Sequence, residues 1–442
     1  MGKIVTKFGG SSLADAGQFE KVRAIIKMNP NRSYIIPSAP GRRFDGDEKV
    51  TDLLYQTYQL YQEGKDYLAA FAKIEARFLE IVQELELSLD IGKYLAEILA
   101  HIQDGASEDY CASRGEYLNG LVLADYLGIL FLDAQGVILF HENGMFDSES
   151  TQDMLSETLK DIEAAVIPGF YGSMPDGSIR TFSRGGSDIS GAIVARAAFA
   201  DVYENWTDVS GFLMADPHIV ENARPIRNVT YRELRELSYM GATVLHEDSV
   251  FPVHRAGIPT NIRNTNHPEH RGTMITHSGI KEDNPFVITG IAGKMGFSVL
   301  SIEKAMMNSE IGFGRRVLQA MEELGLSFEH LPTGIDTLCM VMATEALSSK
   351  REQLVARIIE LTNPDTITIH DNMGLIATVG RGMVYNPGTA ARLFSALSRK
   401  RINVRMIDQG SSELSILVGV NEDDFEAAIR AIYDEFVVEV GK

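Results

Sequence analysis

Cysteine, positive charge and long apolar runs are all scarce in this sequence. The two cysteines, Cys111 and Cys339, lie far apart, which argues against a disulfide framework or a cysteine metal site and favours the reducing cytoplasm. The 41 basic residues face 61 acidic ones, a net charge of −20, so neither nucleic acid nor an anionic membrane is expected as a partner. No apolar run approaches the length of a membrane span, and no signal peptide is expected before the first strand.

The remaining composition is that of a soluble globular protein, and 442 residues allow about three domains. Short β-branched runs at 3–8 and 33–38 flank a helical stretch, and helical spacing then continues over 51–103. Strands alternating with helices predict an α/β fold, a three-layer αβα domain with a mainly parallel sheet. Ligands of such sheets bind at the carboxyl ends of strands, where Lys7 and Ser38 fall.

The last third of the sequence contains an internal repeat. Residues 312–341 align without gaps against 388–417, and Arg316 falls on Arg392, which gives a period of 76 residues. Each copy predicts a βαββ unit, in which a glycine turn separates the last two strands. Two such units resemble small ligand-binding modules, although a duplication with a purely structural role remains the alternative.

The segment Lys7–Ser12, KFGGSS, begins at the end of the first predicted strand. A glycine pair lets the backbone approach a ligand closely, its N–H groups favour an anion, and the lysine adds a compact positive charge. The Walker A pattern is absent from this region. The segment therefore indicates a phosphate site of another kind, and an ordinary turn is the alternative reading.

Three further segments combine charged side chains with glycine. Phe182–Asp188, FSRGGSD, offers an arginine fork for a carboxylate or phosphate and an aspartate that could hold Mg²⁺ or orient the lysine; a capped helix start is the alternative. Ser113–Gly120 places Glu116 at a predicted helix start, where the helix dipole favours an acid. Trp206–Pro217 is a strand end and glycine turn, either a nucleotide rim or a loop.

Taken in order, these motifs resemble the aspartokinases, which belong to the amino acid kinase family and carry paired C-terminal ACT domains. The matching segments are KFGGSS, SRGGSD, WTDVSG with a following DP, GATVLH, PGTAAR and GSSE. The resemblance implies ATP-dependent phosphorylation of the β-carboxylate of L-aspartate to 4-phospho-L-aspartate, with Mg²⁺ bridging the phosphates and no covalent enzyme intermediate. It also implies the first step of lysine, threonine and methionine biosynthesis, under feedback control.

The same resemblance assigns roles to individual residues. Lys7 would stabilise the transition state and Asp188 would organise the site around the phosphate. Phosphate oxygens would be bound by Gly9, Gly10 and Ser11. Substrate would be held by Ser38, Thr51, Glu116 (ammonium), Arg184 (α-carboxylate), Gly185, Gly186 and Ser187. The nucleotide would be bordered by Thr207, Asp208, Leu213, Asp216 and Thr243.

Two of these positions depart from the family pattern, which often has tyrosine where Leu213 stands and lysine where Thr243 stands. Both departures concern the nucleotide side of the site. Two rival hypotheses therefore remain: a kinase acting on glutamate or acetylglutamate, and a catalytically weak amino-acid sensor.

The repeat resembles the paired ACT domains, which bind an end-product amino acid. The resemblance predicts domains at 1–280, 284–363 and 364–442, and a homodimer or dimer of dimers through the ACT-like domains. Glu329 and Asp336 would suit the ammonium of lysine as effector. The predicted effector site comprises Met307, Asn308, Ser309, Gly312, Phe313, Gly314, Phe328, Glu329, Thr333, Gly334, Ile335 and Asp336.

Overall fold

The computed structural model describes residues 2–183, 185–242, 247–277 and 286–438. These residues divide into two compact units. The first unit comprises 2–212, 225–231 and 247–277, and the second comprises 213–224, 232–242 and 286–438. Among the residues so described, no helix is long and apolar enough to cross a bilayer.

The strands and helices up to residue 277 follow the predicted alternation. The strands are β1 (Ile4–Phe8), β2 (Arg32–Pro37), β3 (Leu130–Phe131), β4 (Ala165–Val166), β5 (Tyr171–Ser173), β6 (Ile179–Thr181), β7 (Val202–Thr207), β8 (Asn228–Thr230), β9 (Thr260–Asn264) and β10 (Thr273–Thr276). The helices are α1 (Ala16–Met28), α2 (Val50–Gln62), α3 (Leu68–Glu84), α4 (Ile91–Gln103), α5 (Glu108–Leu127), α6 (Ser148–Thr158), α7 (Gly186–Ala197), α8 (Tyr231–Tyr239) and α9 (Phe251–Ala256). Short 3₁₀ turns are found at Gly10–Leu13, Ala134–Gly136 and Glu247–Val250.

The first unit contains an eight-stranded sheet in the order β3-β4-β2-β1-β7-β9-β10-β8. Its neighbouring strands are parallel except for β9 and β10, which confirms the prediction of a mainly parallel sheet. Strand β1 lies between β2 and β7, with Phe8 opposite Pro37 and Trp206. The carboxyl ends of these three strands therefore meet at one edge of the sheet.

The helical spacing predicted over 51–103 is confirmed, although the structure divides this stretch into α2, α3 and α4. Phe71, Ile74, Phe78 and Ile81 all face the core of the first unit. Three- and four-residue spacing places them on one side of α3, which explains why the pattern was visible in the sequence.

The second unit contains an antiparallel sheet in the order β12-β11-β13-β15-β14. Its strands are β11 (Gly290–Glu303), β12 (Thr337–Ala343), β13 (Thr366–Val379), β14 (Met406–Asp408) and β15 (Ser415–Asn421). Its helices, besides α8 from Arg232 on, are α10 (Phe313–Glu323), α11 (Thr344–Ser348), α12 (Arg351–Thr362), α13 (Thr389–Arg399) and α14 (Phe425–Tyr433). Shorter turns lie at Met307–Ser309, Arg381–Tyr385, Glu422–Asp424 and Asp434–Val438.

The bounds of these strands and helices show the 76-residue repeat, but they correct the predicted alignment at one place. Strands β11 and β13 begin 76 residues apart, at 290 and 366, and so do α10 and α13, at 313 and 389. Strands β12 and β15 begin 78 apart, at 337 and 415. The ungapped alignment is therefore wrong beyond the glycine turn, where the second copy has two extra residues. The strand predicted before that turn is β14 in the second copy, whereas the first copy has two isolated bridges there, at His330 and Thr333.

The predicted domain boundaries differ from the observed units in two ways. Residues 213–224 and 232–242 were assigned to the kinase domain but pack in the second unit. The two repeat copies also share their long strands: 290–294 of β11 pair with 375–379 of β13, and 297–303 pair with 366–373. A boundary at 363/364 therefore cuts one continuous sheet, and the boundary at 280/284 lies outside the described residues.

Candidate active site

Lys7 is the charged centre of the edge where β1, β2 and β7 end. Its side chain is 9% exposed, and Nζ lies 2.7 Å from Oδ1 of Asp188. Asp188 occupies the first turn of α7, where the helix dipole favours an acid. The amide Nδ2 of Asn205, on β7, donates to the same carboxylate oxygen at 2.7 Å. The ammonium is therefore fixed in a largely water-free position before any ligand binds.

The glycine loop after β1 runs beside this ammonium. The N–H of Gly9 donates to the carbonyl of Trp206 at 2.9 Å, and the N–H of Gly41 donates to Gly10 at 2.8 Å. A Cβ added to Gly10 would lie 2.8 Å from the Ala39 carbonyl oxygen, so the close approach requires glycine. The loop continues into the 3₁₀ turn Gly10–Leu13 rather than directly into an α-helix.

Glu116 lies in the third turn of α5, which begins at Glu108, so the prediction that it sits at a helix start is wrong. The helix dipole is not what places it there. Glu116 is 5% exposed, and this burial raises the pKa of its carboxyl to about 7. The Ala39 N–H, the Ser187 hydroxyl and Lys7 act in the opposite direction and lower this pKa. Ser187 donates to Oε1 at 3.4 Å. Among the described residues, no donor reaches Oε2.

The first unit contains a cavity of about 350 Å³, which we name the Lys7 cavity. Eight predicted residues line the Lys7 cavity: Lys7, Ser38, Thr51, Glu116, Gly185, Gly186, Ser187 and Asp188. Gly9, Gly10 and Ser11 are not among its lining residues. Arg184, the predicted carboxylate clamp, lies outside the described residues.

Sequence reasoning missed four residues that line this cavity, namely Tyr55, Phe170, Phe182 and Ser183. Tyr55 follows Thr51 by four residues in α2, a spacing that could have revealed it. Phe182 and Ser183 directly precede Arg184 in the motif. Phe170 carried no signal in the sequence; its φ of 80° is unusual for a residue with a side chain.

The residues predicted to border the nucleotide are divided between the two units. Thr207 ends β7, and its hydroxyl donates to the carboxylate of Asp208 at 3.2 Å. Leu213 and Asp216 belong to the second unit, where Asp216 accepts the N–H of His218 at 2.8 Å. Thr243 lies outside the described residues.

A cavity in the second unit, the Phe313 cavity, has a volume of about 410 Å³. Seven predicted effector residues line it: Met307, Asn308, Gly312, Phe313, Gly314, Thr333 and Gly334. The others that line it are Glu310, Leu318, Leu331 and Leu338, which sequence reasoning missed. The predicted residues Ser309, Phe328, Glu329, Ile335 and Asp336 are not among the lining residues.

The two carboxylates predicted to hold a lysine ammonium have other partners. Glu329 accepts a hydrogen bond from the hydroxyl of Tyr239, which raises the pKa of that phenol to about 12. Asp336 accepts the backbone N–H of Met306 at 2.8 Å. The acid on the cavity wall is Glu310, which is paired with Lys304 and Arg316.

Residues 2–264, more than half of the chain, match the amino acid kinase family, and residues 376–436 match an ACT domain. Within that class, aspartokinase 3 of Bacillus subtilis is 39% identical over 98% of both chains. The chain belongs to the aspartokinases, and it is an aspartate kinase.

Solved structures have the same fold. The aspartate kinase of Clostridium acetobutylicum, described as an allosteric enzyme, has a TM-score of 0.91 and 50% identity over 99% of this chain and 100% of its own. Aspartokinase III of E. coli in complex with aspartate and ADP (R-state) has a TM-score of 0.72 at 23% identity over 98% and 99%. Its complex with lysine and aspartate (T-state) has a TM-score of 0.73 at 23% identity over the same shares.

Proposed function

We propose that the first unit transfers the γ-phosphoryl group of ATP to the β-carboxylate of L-aspartate at the Lys7 cavity. A carboxylate oxygen attacks the γ-phosphorus, the bond to the β–γ bridging oxygen breaks, and ADP and 4-phospho-L-aspartate leave. The observation that carries this proposal is the grouping of Lys7, Asp188 and Glu116 around one cavity at the strand ends. The product would enter lysine, threonine and methionine biosynthesis.

In this mechanism Lys7 neutralises charge that builds up on the phosphoryl oxygens as the transition state forms. Phosphoryl transfer needs positioning and charge stabilisation more than a nucleophilic side chain. The ion pair with Asp188 and the bond from Asn205 to that carboxylate support this role, because they fix the ammonium in advance. The N–H groups of Gly10 and Ser11 would add donors to the phosphate oxygens, whereas the N–H of Gly9 is bonded to the Trp206 carbonyl and would contribute only its close backbone approach.

Glu116 is proposed to bind the α-ammonium of aspartate. A buried carboxylate whose Oε2 has no donor in the described part of the chain is suited to a ligand cation. Arg184 would hold the α-carboxylate through its bidentate fork, a role that rests on the sequence motif alone. Ser38, Thr51, Gly185, Gly186 and Ser187 would complete the substrate contacts.

Mg²⁺, bound together with ATP, would neutralise charge on the phosphates. Within the described residues, no group of three or more histidine, cysteine or acidic side chains could hold a metal ion. Mg²⁺ usually takes most of its ligands from substrate phosphates and waters, so one or two protein carboxylates are enough to hold it. Asp208, exposed at the end of β7, has the chemistry to supply one. Thr207, Leu213, Asp216 and Thr243 would border the nucleotide.

We further propose allosteric feedback inhibition by an end-product amino acid bound at the Phe313 cavity, with lysine as the effector. The cavity combines apolar walls, the glycine backbone of 312–314 and the acid Glu310. That combination suits an amino acid with an aliphatic stem and charged ends. The E. coli enzyme of the same fold has been crystallised with lysine.

Assembly as a homodimer, or a dimer of dimers, through the ACT-like modules is part of the same proposal. Three large apolar side chains around the Phe313 cavity are exposed: Met306 at 71%, Ile311 at 97% and Ile335 at 70%. Exposed apolar groups so close together favour burial by another chain. The composition favours a cytoplasmic location.

Hydroxylamine trapping tests the proposed reaction, because an acyl phosphate gives a stable hydroxamate. Purified protein with ATP, Mg²⁺ and aspartate should release ADP and form the hydroxamate in equal amounts. Glutamate and N-acetylglutamate should give neither product. Activity with one of those acids instead of aspartate would support a different amino acid kinase. Lysine binding without any turnover would support the sensor hypothesis.

A further inference from the structure

Helix α2 contributes a second hydroxyl to the Lys7 cavity besides that of Thr51. Thr51 and Tyr55 are four residues apart in α2, so they share one face of the helix. Both side chains line the cavity together with Lys7, Glu116 and Asp188. Tyr55 is 38% exposed, so its ring is packed while part of it stays open to the cavity and solvent.

The hydroxyl of Tyr55 differs from those of buried tyrosines in the same unit. Tyr203 donates to the backbone carbonyl of Asp188 at 3.0 Å, and Tyr171 donates to Asp133 at 2.7 Å. For Tyr55, no hydrogen-bond partner is found in the described part of the chain. Within the described residues, a molecule in the cavity could therefore bond to this hydroxyl without replacing an existing hydrogen bond.

The charges around Tyr55 decide what kind of group it would meet. Burial and the nearby carboxylates of Glu108, Asp109 and Glu116 raise the pKa of Tyr55. The phenol therefore stays neutral, and its oxygen keeps a lone pair as an acceptor. An ammonium has three donors. Glu116, a buried carboxylate whose Oε2 accepts no hydrogen bond from the described residues, leaves room for a second acceptor on the same cation.

We propose that Tyr55 is a substrate-specificity residue whose hydroxyl oxygen accepts a hydrogen bond from the α-ammonium of aspartate, beside Glu116. This inference rests on the proposed function, in which Glu116 anchors that ammonium. The consequence is selectivity for dicarboxylic acids that carry a free amino group over those that lack one.

The test compares aspartate with succinate, which has the same two carboxylates and no ammonium. In Tyr55→Phe the KM for aspartate should rise about tenfold, about 1.4 kcal/mol, with kcat changed less than about twofold. The KM for ATP and the inhibition constant of succinate against aspartate should stay within about twofold of the wild-type values. Tyr58→Phe, a partly buried tyrosine of the same helix, should change none of these constants.

Two results would overturn the inference: an unchanged KM for aspartate in Tyr55→Phe, or an equal loss for aspartate and succinate. The second would mean that the hydroxyl meets a carboxylate or only fills space. Failure of the proposed function is distinguishable, because wild-type protein would then show no aspartate-dependent ADP release at all. Thermal unfolding of both variants checks that the fold is retained.

Discussion

The two units of this aspartokinase differ in how deeply ion pairs are buried. The first unit has many surface pairs, but it also has pairs in which both side chains are buried, such as Arg77 with Asp47. The side chains of Arg32 and Glu204 are 5% and 6% exposed and 2.8 Å apart. In the second unit, typical pairs are at the surface, as with Arg357 and Glu323 at 31% and 39%. Glu435, 8% exposed between Arg392 and Arg399, is an exception.

The difference agrees with the activities that we propose for the two units. Phosphoryl transfer is accelerated by charges that are already in place, and burial both fixes them and strengthens their effect. Recognition of an amino-acid effector needs a cavity whose walls can differ between two states. Backbone glycines and apolar side chains, which dominate the Phe313 cavity, suit that task.

The largest effect should come from Lys7→Ala. Removing the ammonium should lower kcat by a factor of about a thousand or more, because its charge is needed mainly in the transition state. Lys27→Ala, an exposed lysine of α1, is the matched control and should leave activity unchanged. Retention of a tenth of the activity, about 1.4 kcal/mol, would remove Lys7 from the centre of the mechanism.

The next effect concerns stability. Arg32→Ala removes the bidentate partner of the buried Glu204 and leaves it with Arg263 and the indole N–H of Trp206. The loss of these charge-assisted hydrogen bonds should cost about 1.5–3 kcal/mol of unfolding free energy. Arg357→Ala removes a surface pair and should leave the denaturation curve unchanged. Urea unfolding of both variants measures the difference. Similar losses of unfolding free energy in Arg32→Ala and Arg357→Ala would contradict the difference in ion-pair burial between the two units.

A smaller effect is expected for Glu116→Gln. The KM for aspartate should rise by a factor of roughly 10 to 100, since a charge-assisted hydrogen bond to the ammonium is lost. The pKa of Glu116 is raised to about 7, so the wild-type carboxyl becomes ionised as pH rises through that value. The wild-type KM should therefore fall between pH 6 and 8, whereas that of the variant should stay flat. A pH-independent wild-type KM would reject the ammonium role.

The smallest effect should follow Asp336→Ala in the second unit. Asp336 accepts the N–H of Met306 and so holds the loop next to the Phe313 cavity. Its loss should raise the inhibition constant of lysine about tenfold, within the usual range of allosteric coupling. Each variant's uninhibited rate is the reference, and Asp423→Ala, an exposed acid of the same unit, is the control. Equal inhibition in both would leave Asp336 without this role.

Local patterns predicted the parts of the molecule that depend on local structure. The glycine pair after β1, the one-sided spacing of α3 and the 76-residue repeat were all readable from the sequence. Helix α5 was not, because it is buried on several sides. Its polar residues Glu116 and Asn119 are as inaccessible as Leu118. Without an exposed face, neither its start nor the depth of Glu116 could be inferred.

Features made by distant contacts also escaped prediction. The segment 232–242 joins the second unit partly through the buried carboxylate of Glu233, which accepts the hydroxyl of Thr289 and the N–H of Arg381. The sequence around Glu233 does not indicate these partners, which lie 56 and 148 residues away in the chain. Glu329 likewise bonds to Tyr239, 90 residues before it, and does not line the Phe313 cavity.

Lysine titration of the full-length protein tests the central claim most directly, namely that one unit phosphorylates aspartate and the other senses lysine. Aspartate-dependent ADP release and calorimetric binding should be measured on the same preparation. We predict saturable binding of lysine and inhibition over the same concentration range, with threonine and methionine weaker. Full activity together with no binding heat and no inhibition at millimolar lysine would contradict the account.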